Sequence, residues 1–200
     1  ALITVKHFQI DESHGVSHAL NVLHHSHNIL QSELQRHPYL EEQRDIVYTS
    51  ALMHDLCDDK YMNQKQGAQN ILQFLEENTT LSTEDMSVVN EIISTMSYTK
   101  VKKHGFPDLG KYQMASHIVR EADLLSAYDV DRSIIYNMNN VNDDFLISFK
   151  NALDLFEVRM FKHNEDNLFV TEYSRQLSQI LEKDAYERIK IWLELRNQGA

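Results

Sequence analysis

Apolar side chains recur at three- and four-residue intervals through most of the chain. Val16, Leu20, Leu23, Leu30 and Leu34 keep that spacing until Pro38 closes the segment, as expected of a helix with one buried face. Ile46, Val47, Ser50, Ala51 and His54 continue the pattern through residues 39–57. The same periodicity predicts helices over 64–77, 83–98, 111–137, 142–163 and 166–197, with a break in 111–137 near Asp129. Ser82 stands three residues before Asp85, the spacing of a capping box opening the 83–98 helix. No period-two alternation is long enough to specify a strand. Residues 97–112, SYTKVKKHGFPDLGKY, gather two glycines and a proline and form the one stretch expected to be irregular.

Composition strengthens this reading. Five glycines and two prolines in 200 residues imply few turns and long elements. The expected fold is all-α: a single-domain helical bundle over residues 1–200, without repeat, low-complexity tract or linker. A chain of this size can stand on one core without staples. Phe145, Phe149, Leu153, Phe156, Trp192 and Leu193 lie at helical spacing in 142–197. They are expected to pack on the core or to form a homodimer face.

Charge and cysteine usage narrow the function classes. Thirty acidic against nineteen basic residues give a net charge of −11, which argues against coating a nucleic-acid polymer. The single cysteine, Cys57, excludes a disulfide framework and suits a reducing compartment. No apolar run reaches membrane-spanning length, so the expected setting is cytoplasmic, with no membrane partner.

Candidate chemistry begins at residues 51–60, ALMHDLCDDK, where an apolar run meets His54, Asp55, Asp58 and Asp59. Charged groups beside a core segment are expensive unless something pairs with them. The first helix offers His14, His18, His24, His25 and His27, and Asp123 lies between Ala122 and Leu124 in a later one. An aspartate in an apolar mid-helix setting is disfavoured by propensity. SHGVSHALNV, SALMHDLCDDKY and HIVREADLLSAYD match in order and spacing the HD-domain superfamily of metal-dependent phosphohydrolases. Over residues 11–137 the chain most resembles its small bacterial nucleotide pyrophosphohydrolases. The resemblance implies an HD-type helical core there and a ligand set of His18, His54, Asp55 and Asp123.

Two imidazoles and two carboxylates, with no thiolate, form a mixed nitrogen–oxygen set. That set favours an open hydrolytic site for one divalent ion (Mn²⁺, Fe²⁺, Mg²⁺, Co²⁺ or Ni²⁺) over a structural zinc site. The expected reaction is attack by metal-bound water on a small phosphorylated substrate, most naturally a nucleotide. Asp58, one helical turn from Asp55, is the candidate base. Lys60 and Lys100 match the family's phosphate-holding pattern, and Lys100, Lys102 and Lys103 are expected to make a basic loop. Against the family pattern, Asn21 and Leu124 replace arginines and Ser126 replaces an acidic residue. Two rival functions remain: a catalytically weak metal- or nucleotide-binding module, and a di-iron oxygenase-like protein recruiting His104 and His117. His27 is expected to be a hydrogen-bonded core histidine, and His24 and His25 to be solvated.

Overall fold

Nine α-helices and no strand make up the regular structure among the described residues, 15–57 and 64–198 of the computed structural model. The chain divides into two compact units, residues 1–123 and 124–200, with the division inside a helix. No helix of the described residues is long and apolar enough to cross a membrane.

The first unit contains α1 (Val16–Glu33), α2 (Arg44–Met53), α3 (Gln64–Asn78), α4 (Thr83–Thr95), α5 (Tyr98–His104) and most of α6 (Gln113–Ser126). α1 packs on α2, and α4 lies against both α2 and α3. The buried face of α1 is His18, Ala19, Val22, Ser26, Ile29, Leu30 and Glu33. Leu20, read as part of the stripe, is 53 % exposed. The inward register therefore runs through His18, placing a polar ring on the core side of the helix. α2 buries Ile46, Val47, Ser50, Ala51 and Met53, then tightens into a 3₁₀ turn, His54–Cys57.

α4 opens on the expected capping box, Ser82 and Asp85 each bonding the other's backbone N–H. The stretch expected to be irregular is partly helical. Ser97 turns the backbone out of α4 and accepts the Lys100 N–H at 3.4 Å, starting α5, which ends where Gly105 takes φ +78°. Lys100, Lys102 and Lys103 therefore stand on a helix, which corrects the basic-loop expectation.

In the second unit α7 (Val130–Asn140), α8 (Phe145–Val158) and α9 (Glu172–Gln198) follow the end of α6. The expected break falls at Asp129, whose carboxylate accepts the Arg132 N–H and caps α7. Asp144 caps α8 in the same way. Phe149 and Phe156 are fully buried, as is the His163 ring. Asp131 accepts from Arg188 and from Trp192 Nε1 at 2.8 Å, tying α9 to α7.

Candidate metal centre

Three separate elements of the first unit bring four side chains together. His18 points inward from α1, His54 and Asp55 lead the 3₁₀ turn after α2, and Asp123 lies in the last turn of α6. The His18 and His54 Nε2 atoms are 3.1 Å apart. Asp55 Oδ2 lies 3.4 Å from the first and 3.3 Å from the second. Asp123 Oδ1 lies 3.4 Å and 3.6 Å from the same two nitrogens. Ligands about 2.1 Å from a shared ion stand about 3.0 Å apart at octahedral angles and about 3.4 Å apart at tetrahedral ones. The His18, His54 and Asp55 atoms lie at the spacings of one ligand sphere, and Asp123 Oδ1 stands as close to the two imidazoles.

Proton placement supports the same reading. His54 Nδ1 lies 2.9 Å from the Ala51 carbonyl, which only accepts, so Nδ1 carries the ring proton and donates it. In the neutral ring Nε2 then presents a lone pair to the cluster. Asp55 Oδ2 is buried against the two imidazole nitrogens, a placement that favours a proton on those rings or a shared cation. Burial works against charge on His54, but the Asp55 and Asp123 carboxylates outweigh it and hold its pKa well above the usual value. Burial likewise opposes ionisation of Asp55, yet His54 prevails and brings it down to about 2. Asp123 is also lowered: His18 and His54 overcome its desolvation. The site is thus a concentration of negative charge that attracts either protons or a metal. The histidine side chains are 3 % exposed, against 18 % and 28 % for Asp55 and Asp123. Its open side is the carboxylate side.

The other expected residues divide clearly. Asp58, Asp59, Lys60 and His14 lie outside the described residues. Lys100 Nζ donates to the Ser94 carbonyl at 2.7 Å, at the last turn of α4. His27 is exposed rather than in the core, its Nδ1 2.6 Å from the Tyr48 hydroxyl. His25, expected to be solvated, is half-buried, and burial with His24 beside it lowers its pKa to about 4. His104 is exposed at the end of α5. Arg120 Nη2 lies 3.2 Å from His117 Nδ1 and the Gln113 amide nitrogen 3.1 Å from its Nε2, so two donors compete for the one acceptor of the neutral ring. Burial first and Arg120 second lower the His117 pKa to about 4. Asn21 is exposed on α1.

Sequence reasoning passed over Arg120 and Glu121, which are 2 % and 0 % exposed and 3.3 Å apart. The signal the sequence offers is two adjacent charges, Arg120 and Glu121, directly after the apolar pair Ile118 and Val119.

No protein-family model matches the chain, and no curated protein matches it significantly. Among solved structures, it is similar to a Lactobacillus plantarum protein determined as a structural-genomics target, with a TM-score of 0.70 and 16 % sequence identity. The match covers 98 % of this chain and 93 % of the other. Identity at that level establishes the shared all-α fold alone.

Proposed function

We propose that the protein is a metal-dependent phosphohydrolase acting on a small phosphorylated molecule, with a nucleotide as the first candidate. The observation that carries this reading is the grouping of the His18 and His54 Nε2 atoms with Asp55 Oδ2, and the approach of Asp123 Oδ1 to the same two nitrogens. These four residues would hold one divalent ion. Such an ion supplies Lewis acidity to a phosphate oxygen and makes water a competent nucleophile at neutral pH.

The chain's own contribution is orientation and access. Ala51 fixes the His54 tautomer through its carbonyl, and the buried imidazoles leave approach to the partly exposed carboxylate edge. Asp58 is the proposed base, and Lys60 and Lys100 the proposed phosphate contacts, all on family resemblance. Support for one ion rather than two comes from His117, whose ring nitrogens face Gln113 and Arg120. The proposed setting is a reducing, cytosolic one, resting on the single cysteine.

The test pairs elemental analysis of the purified protein with phosphate release from a panel of nucleotides. Bound metal with hydrolysis supports the enzyme. Bound metal without hydrolysis of any member favours the binding-module reading, and absence of metal removes both.

A further inference from the structure

We infer that Arg120 joins the proposed lysines in receiving the substrate's phosphate, and that Gly105–Gly110 is a strap whose Phe106 covers it until substrate arrives. The inference rests on the metal-centre reading and adds a buried anion-binding group to it.

Charge creates the need. Two carboxylates offset a divalent ion, two neutral imidazoles add nothing, and the whole chain carries −11. A phosphate arriving there requires a further local cation. α6 carries one permanently cationic side chain, Arg120, three residues before Asp123. Residues at that spacing are neighbours on a helix surface, with Cβ atoms about 5–6 Å apart.

The surroundings of Arg120 are those of a guanidinium in storage. It contacts His117 and the fully buried Glu121, and the Phe106 ring lies 4.5 Å from its central carbon. Burying such a pair costs desolvation that a packed apolar pair avoids, so stability alone is a poor reason to keep it. The cover is thin: Phe106 is 41 % exposed and meets His117 edge-on, ring centroids 4.9 Å apart.

The backbone carrying Phe106 is built to turn. Gly105 and Gly110 sit at φ +78° and +52°, and an added Cβ would meet nothing within 4 Å at either. Glycine is thus demanded by conformation, not by space. The far end is anchored: Leu109 is buried, and its N–H donates to Gln113 Oε1 at 2.9 Å. Rotation about Gly105 would lift Phe106 while Leu109 stays in place. The uncovered guanidinium, still beside Glu121, would exchange its His117 contact for a phosphate oxygen.

Labelling with phenylglyoxal, read residue by residue by peptide mass spectrometry, tests both parts on the full chain loaded with Mn²⁺. Exposed Arg188 is the internal reference. Arg120 should label slowly in wild type and in Phe106→Tyr, and on the order of tenfold faster in Phe106→Ala, whose cover is gone. In Mn²⁺-loaded Phe106→Ala, inorganic phosphate at about ten times its Kd should slow Arg120 labelling about tenfold and leave Arg188 unchanged. Slow labelling in Phe106→Ala would overturn the strap. Fast labelling that phosphate does not slow, with Mn²⁺ retained, would overturn the phosphate assignment and leave the metal reading intact. Failure of wild type to retain Mn²⁺ would instead remove the metal reading, and the phosphate assignment with it.

Discussion

Because the Ala51 carbonyl holds the Nδ1 proton of His54, its Nε2 can take either a second proton or a metal, and the neighbouring carboxylates favour both. In metal-free protein His54 titrates well above its usual value. The folded state then binds more protons than the unfolded above about pH 6.5, and stability falls as pH rises through the folded pKa. His25 and His117 act in the opposite sense. Their folded pKa values of about 4 lie below 6.5, so stability is lost as pH falls from 6.5 toward 4. Asp55, at about 2 against 3.8, adds a further loss below that window. The thermal unfolding midpoint in chelator should therefore be highest near pH 6.5. Saturating Mn²⁺ should abolish the decline above it, since metal binding replaces the second proton. A metal-free midpoint still rising between pH 6.5 and 8 would contradict the His54 assignment. His54, Asp55 and Asp123 were legible because carboxylates and imidazoles stand where apolar spacing demands core. The setting of Arg120 and His117 was not legible, because what matters is their burial beside Phe106, a contact that local spacing does not encode.

Helix boundaries tell a similar story one level up. The α4 start was readable from Ser82 and Asp85 alone, since a capping box is a local device. Ser82→Ala should lower stability by about 1 kcal/mol, measured by urea unfolding. The seven-residue α5 was missed because a helix that short has little stability of its own. It depends on Ser97 at its start, while Lys100 reaches back to the Ser94 carbonyl of α4. Lys100→Met should cost about 1 kcal/mol through that lost bond and, on the proposed phosphate role, weaken phosphate binding as well. Lost stability at unchanged phosphate affinity would leave Lys100 a helix-joining residue and remove it from the substrate. In the second unit Asp131→Ala removes the acceptor shared by Arg188 and Trp192. The protein's one tryptophan should then show red-shifted emission, with a stability loss of about 1 kcal/mol for this largely exposed contact. Unchanged emission would mean that Asp131 does not hold the indole.

For the molecule as a whole, the scarcity of glycine and proline and the helical periodicity sufficed to read an all-α fold, and the similarity to the Lactobacillus plantarum protein agrees. The division of the chain at Asp123 and Leu124 was not legible, because α6 runs through it without interruption in the apolar pattern. The net charge of −11 gives the protein a field that repels phosphates, so any hydrolase built on it depends on the charge of the ion it holds. Binding of a divalent metal by His18, His54, Asp55 and Asp123 is therefore what the proposed function depends on. Its most direct test is the metal-to-protein ratio, by elemental analysis, of wild type, His54→Ala and Asp55→Ala after Mn²⁺ loading and desalting. One equivalent is expected in wild type and none in either variant, with helical circular dichroism preserved in all three. Stoichiometric metal in either folded variant, or none in wild type, would contradict it.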